Sequence, residues 1–169
     1  MVLRNMTAVY LFHEDKVLLI YRKGSRVFQG ALWCGIGGRF ENEELNAPRD
    51  CVLRELYEET GIRAADIDGL TLKYITFRKA DQEIRQQYIY FARLTNAAVT
   101  LIDCDEGELR WMPVADIFAL PISFTNTQCL RHYMALGRND NFVYAGAAVV
   151  ENGVPRMIFT PLEDFATDY

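Results

Sequence analysis

Two kinds of apolar pattern divide this chain. Runs of β-branched, aromatic and aliphatic residues bounded by polar turns predict strands, whereas apolar residues spaced three or four apart predict helices. Strand-like runs cover most of the sequence, and helical spacing occurs at about 47–60 and 125–136. This mixture predicts an α/β chain with few helices.

Three pairs of strand-like runs predict β-hairpins. They comprise 6–12 with 17–21, 70–77 with 83–93, and 141–150 with 154–160. The last pair flanks Asn152-Gly153, which is the strongest short hairpin signal in the chain. Between these pairs we expect a loop at 23–30, a short strand at 31–36, and a short helix at 114–120. In the second long helix, Gly137 suits the C-cap.

The first helix has clear end signals. Asn46 is a good N-cap, Pro48 suits the first turn, and Gly61 stands where a helix stops. The helix carries an apolar stripe that we expect to face the core, formed by Leu53, Leu56 and Tyr57.

Three acids share the other side of this helix. At about 100° per residue, Glu55, Glu58 and Glu59 fall within an arc of about 100°. Such like charges repel by a few tenths of a kcal/mol. They are either a solvated acidic face or ligands of a hard divalent cation, which prefers carboxylate oxygens. We expect them to point away from the core.

The surrounding residues favour the second interpretation. The order of glycine, glutamate, Arg-Glu, aliphatic residue, Glu-Glu, glycine and aliphatic residue resembles the Nudix box, whose pattern is G-x5-E-x7-R-E-U-x-E-E-x-G-U. All nine fixed positions are matched in order, by Gly38, Glu44, Arg54, Glu55, Leu56, Glu58, Glu59, Gly61 and Ile62. The chain is thereby identified as a member of the Nudix hydrolase superfamily, with MutT-like relatives.

The match has one departure. Nine residues, 45–53, separate Glu44 from Arg54 where the family pattern has seven. This two-residue insertion precedes or opens the helix and leaves 54–62 unbroken. It puts the role of Glu44 in question more than that of the acidic helix.

The resemblance implies an α/β/α sandwich around a mixed sheet, with the two helices on opposite faces. It also implies Mg²⁺-dependent hydrolysis of a phosphoric anhydride, with Mn²⁺ as the alternative ion. The length of 169 residues suits a single domain, 1–169. Its core would lie at about 5–136, with the hairpin at about 140–160 as an extension.

The resemblance also implies roles for individual residues. The metal ligands would be the Gly37 carbonyl, Glu55 and Glu59, and Glu58 would support a further ion or its water shell. Arg54 would orient the carboxylates. Two general bases remain open, namely Glu55 and Glu106, and the latter lies in an acidic loop that can also be an ordinary turn.

The substrate-binding candidates rest on the family layout as well. They are Arg22, Gly38, Phe124 and Asn126. Arg22 suits a bound nucleotide and an edge strand equally well. For Phe124 and Asn126, a core phenylalanine and an N-terminal capping residue are the simpler interpretations.

Charge and composition narrow the partners. The net charge of −5 argues against a nucleic-acid polymer, whose binding depends on basic residues. No apolar run approaches the ~20 residues that span a bilayer, and 1–5 lacks the plan of a signal peptide, so we expect a cytoplasmic protein. His13 and His132 are far apart, which argues against zinc. The cysteines are expected to be reduced core thiols, at Cys34, Cys51, Cys104 and Cys129.

Three functions remain open at this point. The leading hypothesis is a nucleoside triphosphate pyrophosphohydrolase acting on a substrate such as 8-oxo-dGTP. The second is a pyrophosphatase for ADP-ribose or another nucleotide sugar, and the third is a non-catalytic nucleotide-binding module. The C-terminal hairpin can extend the sheet, cover the cleft or form the edge of a homodimer, and the sequence does not choose among these roles.

Overall fold

The computed structural model describes residues 1–25 and 28–164, with the backbone alone at its strand residues 24, 25 and 28–30. The strands are β1 Val2–His13, β2 Lys16–Ser25, β3 Phe28–Cys34, β4 Ile67–Ala80, β5 Glu83–Leu94, β6 Glu108–Pro113, β7 Val143–Glu151 and β8 Val154–Leu162. The helices are α1 Pro48–Thr60 and α2 Phe124–Ala135. Short 3-10 turns occur at Asn42–Glu44, Ala64–Asp66, Val114–Ala119 and Gly137–Asn139.

One mixed sheet organises these elements. Its strand order is β3-β2-β1-β5-β4-β7-β8, and β6 pairs with β2 in addition. The β1/β5 and β4/β7 pairs are parallel, and the remaining neighbours are antiparallel. The expected α/β architecture is therefore confirmed.

The two helices cover opposite faces of the sheet. Side chains alternate along a strand, so in β1 Val9 belongs to the α1 core and Tyr10 to the α2 core. Leu56 fills the first core from α1, and Leu130 fills the second from α2. Because the middle of β1 is buried on both faces, residues 8–12 form a continuous apolar run rather than an alternating one.

The predicted hairpins exist, and five of their six strands are longer than predicted, the exception being β7. The β1/β2 ladder is limited to three pairs, from Leu11–Leu18 to His13–Lys16. β2 continues to residue 25 and β3 begins at 28. The loop predicted at 23–30 is therefore wrong at 23–25 and 28–30, which belong to strands. Residues 26 and 27 of that loop lie outside the described part of the chain.

Two helix ends lie at other residues than the sequence predicts. Ala47, rather than Asn46, is the N-cap of α1, and it makes no side-chain capping hydrogen bond. Leu136, rather than Gly137, is the C-cap of α2, because Gly137 already belongs to the next 3-10 turn. The predicted end of α1 is confirmed: Gly61 has φ 77° and its N–H donates to the Tyr57 carbonyl.

The buried face of α1 also differs from the prediction. Tyr57 is 50% exposed, whereas Glu55 and Glu59 are 8% and 3% exposed. Leu56 packs into the α1 core as predicted, and Val52 rather than Tyr57 packs there beside it. Two of the three acids therefore face protein rather than solvent, because the chain at 37–38 lies against them.

The C-terminal hairpin extends the sheet. β7 pairs in parallel with β4, from Tyr74–Tyr144 to Phe77–Ala147, and β8 forms the outer strand. Asn152 and Gly153 both have positive φ, 51° and 79°, as a two-residue hairpin turn requires. Of the three roles considered for this hairpin, extension of the sheet is the one that is observed.

Candidate active site

Two adjacent glycines allow a loop, a strand and a helix to meet at one point. After β3 the chain runs beside β1, where the Thr7 N–H donates to the Gly38 carbonyl at 2.9 Å. Gly37 has φ 148°, and a Cβ there would stand 2.3 Å from the Thr7 carbonyl oxygen. A Cβ on Gly38 would stand 2.5 Å from the carboxylate of Glu55. A larger residue at Gly37 would push the loop away from β1, and one at Gly38 would displace the Glu55 carboxylate.

Arg22 on β2 gathers three oxygen acceptors around one guanidinium group. It donates to the Gly37 carbonyl at 2.9 Å, to the carboxylate of Glu59, and to that of Glu106. The second oxygen of Glu59 accepts the Gly37 N–H at 3.0 Å. Four segments distant in sequence therefore converge here, and we call Arg22, Gly37, Glu59 and Glu106 the Arg22 cluster.

Burial controls the protonation of the two inward-facing acids. It raises the pKa of Glu59 to about 7, against the opposing effects of Arg22 and the Gly37 N–H. Burial likewise raises the pKa of Glu55, and the nearby Arg54 guanidinium opposes it. A nearby positive charge would favour the ionised form of both acids.

A second arginine holds the acids on the other side of α1. Arg54 binds Glu44 through two hydrogen bonds of 2.7 and 2.9 Å, which is the bidentate geometry that stabilises such pairs. It also donates to Glu55 at 3.0 Å and to Glu58 at 2.8 Å. We call Arg54, Glu44, Glu55 and Glu58 the Arg54 cluster.

The two extra residues before α1 do not separate Glu44 from Arg54. Glu44 ends a 3-10 turn, and its carboxylate also accepts the Glu41 N–H at 2.9 Å. The hydrogen bonds from Arg54 lower the pKa of Glu44 to about 2. The longer segment therefore still delivers a carboxylate to Arg54, which answers the question raised by the sequence.

A cleft of about 670 Å³ opens beside both clusters. Seven of the sequence-predicted site residues line this cleft: Arg22, Gly37, Gly38, Arg54, Glu55, Glu106 and Asn126. Glu58 lies on the exposed side of α1, and Glu59 lies beneath Arg22. Phe124 is not brought to the cleft; its side chain is 38% exposed on the first turn of α2.

The first turn of α2 places two residues with unsatisfied polar atoms at the cleft wall. Thr125 and Asn126 are 6% and 7% exposed, and both line the cleft. The Thr125 hydroxyl and the Asn126 side-chain oxygen are buried without a hydrogen-bond partner. Ser123 is the N-cap residue, so Asn126 is not needed for capping. Buried polar atoms without partners are costly, which is a common signature of a ligand site.

Sequence reasoning missed most of the cleft floor. It is formed by alternate residues of three neighbouring strands, such as Met6 on β1, Thr76 on β4 and Gln87 on β5. The register brings Met6 opposite Gln87, and Gln87 opposite Thr76. The only available signal was the alternation within each run, because a single sequence does not reveal which strands pair or in what register.

The donor set fits a hard divalent cation. Within residues 1–25 and 28–164, no group of three or more acidic, histidine or cysteine side chains is arranged to hold a metal ion. The acids of the site are paired with the guanidinium groups of Arg22 and Arg54 instead. In the Arg22 cluster, however, a backbone carbonyl and two carboxylates surround one positive group. All three donors are oxygens, which are the ligands that Mg²⁺ prefers.

Residues 2–133 match the family model of the NUDIX domain. The chain belongs to the NUDIX family. A curated relative, the uncharacterized Nudix hydrolase YvcI of Bacillus subtilis (strain 168), is 28% identical over 122 residues, which cover 72% of this chain and 73% of the relative. By family the chain is a Nudix hydrolase, an enzyme class that acts on phosphoric anhydrides.

Solved structures share the fold of this Nudix chain. The MutT protein from Bacillus halodurans aligns with a TM-score of 0.64 and 21% identity, over 91% of this chain and 97% of that one. The NUDIX domain of Shewanella oneidensis NrtR, solved with ADP ribose, aligns with a TM-score of 0.58 and 22% identity, over 80% and 87%. In the described part of this chain, no helix is long and apolar enough to cross a membrane.

Proposed function

We propose that this Nudix chain hydrolyses the pyrophosphate bond of a nucleoside triphosphate in the presence of Mg²⁺, releasing a nucleoside monophosphate and pyrophosphate. An oxidised nucleotide such as 8-oxo-dGTP is the leading substrate, and Mn²⁺ is the alternative ion. The observation that carries the proposal is the convergence of the Gly37, Glu59 and Glu106 oxygens on one positive group beside the cleft.

The cation would be held by the Gly37 carbonyl and by Glu59 and Glu55, with Glu58 supporting a further ion or its water shell. When bound, such an ion polarises phosphoryl oxygens and lowers the pKa of a coordinated water. Glu59 is already fixed by the Gly37 N–H at 3.0 Å, so little reorganisation of this ligand is required.

Two arginines of the chain have separate tasks in this proposal. Arg54 holds Glu55 and Glu58 in place while its own position is fixed by the bidentate pair with Glu44. Arg22, released from Glu59 by a competing cation, would remain beside the cleft and bind a substrate phosphate. Gly37 and Gly38 line the cleft without side chains, so their backbone groups would be within reach of that phosphate.

Two residues remain candidates for the base that activates water. Glu55 lines the cleft, and burial raises its pKa, which suits a proton acceptor near neutral pH. Glu106 also lines the cleft and reaches the same cluster through Arg22. Comparing the pH profile of kcat for Glu55→Gln and Glu106→Gln would assign the role, because loss of the base removes the acidic limb of the profile.

Asn126 and Thr125 support a nucleoside as the bound group. Their unpaired oxygen atoms are buried behind the cleft wall, and rotation of these side chains on binding would let the polar edge of a base or sugar hydroxyls satisfy them. A single hydrogen bond to a base can discriminate strongly when its loss leaves a buried group unpaired.

ADP-ribose is the second candidate substrate. The observation that favours it is the structural similarity to the NrtR NUDIX domain, which was solved with ADP ribose. Hydrolysis would then give AMP and ribose 5-phosphate, and the same residues would hold the pyrophosphate.

Product analysis by anion-exchange chromatography tests these alternatives. The protein is incubated with Mg²⁺ and, separately, dGTP, 8-oxo-dGTP, the other dNTPs and ADP-ribose. Pyrophosphate and one nucleoside monophosphate are the expected products. AMP from ADP-ribose alone would replace the leading substrate with the second, and inactivity towards every compound with both Mg²⁺ and Mn²⁺ would favour a non-catalytic nucleotide-binding module.

A further inference from the structure

The end of the cleft farthest from α1 carries a row of three arginines. They come from three neighbouring strands: Arg4 on β1, Arg85 on β5 and Arg78 on β4. The strand register places Arg4 beside Arg85, and Arg85 beside Arg78. All three line the same cleft as the acids of α1, and we call them the arginine row.

The arginine row is poorly neutralised by the protein. Like charges on directly opposed sheet positions destabilise the pairing. One carboxylate, Glu83, serves two of the arginines, at 2.5 Å from Arg4 and 2.6 Å from Arg85. Arg78 forms no ion pair within the described residues. The row thus has three guanidinium groups and one carboxylate that pairs with two of them, in a chain whose net charge is −5. This positive charge is therefore local and is not a property of the whole surface.

The row lies at a defined distance from the acidic end of the cleft. Thr7 is hydrogen-bonded to Gly38, and Arg4 precedes Thr7 by three residues on the same strand. At about 3.3 Å per residue this separation is about 10 Å. The strand floor between the two ends carries no formal charge, since it is made of Met6, Gln87 and Thr76, while the charged Arg39 and Glu41 line the cleft from the loop beside β1. With the proposed cation bound at the acidic end, a ligand that reaches both ends would carry two separate anionic groups.

We propose that the arginine row binds a phosphate group of the substrate that is additional to the pyrophosphate being cleaved. The inference rests on the proposed hydrolysis at the other end of the cleft. It defines the substrate class as a nucleoside diphosphate linked to a moiety that itself carries phosphate. Guanidinium groups suit this task because they form paired hydrogen bonds with phosphate oxygens. That phosphate belongs either to an extended polyphosphate chain or to a phosphorylated sugar.

The first test measures binding without any metal or turnover. Tripolyphosphate is titrated calorimetrically in EDTA buffer into the full chain, Arg78→Gln, Arg85→Gln and Lys79→Gln. Lys79 is the matched control, because it is the next residue on β4, is exposed and does not line the cleft. We expect the Kd to rise about tenfold in each arginine variant and to stay unchanged in Lys79→Gln. Equal affinity in all four proteins, or equal loss in the control, would overturn the inference.

The second test compares substrates with Mg²⁺ and identifies the source of the phosphate. The KM of Arg78→Gln should match that of the wild type for ADP-ribose, whose terminal ribose is uncharged. If the phosphates of a polyphosphate chain bind the arginine row, the KM of Arg78→Gln should rise about tenfold for adenosine 5′-tetraphosphate. If a sugar phosphate binds the row, the KM should rise about tenfold for ADP-ribose phosphorylated on its terminal ribose. An equal rise for ADP-ribose would contradict the inference. If tripolyphosphate binding depends on the arginines but no compound is hydrolysed, the phosphate subsite stands and the proposed hydrolysis is wrong.

Discussion

The Arg22 and Arg54 clusters use the same chemistry for different purposes. In the Arg54 cluster every acid comes from residues 44–58, and Arg54 is held bidentately by Glu44. In the Arg22 cluster the acceptors come from the loop at Gly37, from α1 and from the loop before β6, and two of them accept from the same Arg22 nitrogen. The Arg54 cluster is formed by residues close together in sequence, whereas the Arg22 cluster is formed by segments that only the tertiary fold brings together.

This difference separates the tasks of the two arginines. Arg54 positions acids, among them the proposed ligand Glu55, whereas Arg22 occupies the place that we propose for the metal ion. A local cluster with bidentate geometry is suited to fixing α1 against the preceding turn. A cluster in which a carbonyl and two carboxylates share one cation is suited to exchanging that cation for a metal ion. The following variants separate these roles, and we order them from the largest expected effect to the smallest.

Glu59→Gln should have the largest effect on turnover. Loss of a charged ligand at the Arg22 cluster is expected to lower kcat about a thousandfold, which corresponds to roughly 4 kcal/mol of transition-state stabilisation. The variant should also bind Mn²⁺ more weakly, as measured by electron paramagnetic resonance titration. Glu44→Gln is the matched control, because it is the same change at a buried arginine-bound glutamate. Equal losses of turnover in both variants would erase the distinction between the clusters.

Arg22→Gln should separate metal binding from catalysis. Because Arg22 competes with a cation for Glu59 and the Gly37 carbonyl, its removal is expected to tighten Mn²⁺ binding by about tenfold. The same variant should raise the KM of the substrate about tenfold through loss of a charged hydrogen bond. Calorimetric titration of Mn²⁺ and initial-rate kinetics measure the two effects. Weaker Mn²⁺ binding in Arg22→Gln would show that the arginine supports the metal site rather than competing for it.

Glu44→Gln should act mainly on stability. The charged hydrogen bonds to Arg54 are expected to contribute about 2 kcal/mol, which corresponds to a decrease of about 6 °C in Tm. Since the folded-state pKa of about 2 is below the usual value, this contribution is complete above pH 4.5 and is lost as the pH falls towards 2. Urea unfolding at several pH values should therefore show the two proteins converging in acid. A constant difference down to pH 2 would contradict the depressed pKa.

Glu58→Gln should have the smallest effect of the four. Its carboxylate is exposed and contacts Arg54 through a single nitrogen, so we expect kcat to fall about tenfold and Tm to change little. Kinetics at several Mg²⁺ concentrations measure this effect. A thousandfold loss would place Glu58 among the principal ligands and would require α1 to present a different face to the substrate.

The sequence predicted those parts of the molecule that depend on local chemistry. Gly61 ends α1, and Asn152-Gly153 forms a hairpin turn, because each needs a backbone conformation that few residues adopt. The acidic helix could also be recognised from the sequence, since residues 54–62 keep the spacing of the family motif. The capping prediction at Asn46 failed even so, because the 3-10 turn that ends at Glu44 starts the helix one residue later than expected.

The remaining features depend on how distant segments meet. The burial of Glu59 follows from the packing of the Gly37 loop on α1, which no helical periodicity can reveal. The arginine row exists only because β1, β5 and β4 are adjacent and in register. The unsatisfied oxygens of Thr125 and Asn126 likewise require knowledge of what surrounds the start of α2. A one-residue shift in register would have moved each strand's cleft residues to the other face.

The most direct test is a crystal structure grown with Mn²⁺, with anomalous diffraction recorded at the manganese edge. We expect an anomalous peak among the oxygens of Gly37, Glu59 and Glu55, with the Arg22 guanidinium turned away from Glu59. An anomalous peak elsewhere, or Arg22 still bound to Glu59 and Gly37 at saturating Mn²⁺, would contradict the assignment of these oxygens as the metal site.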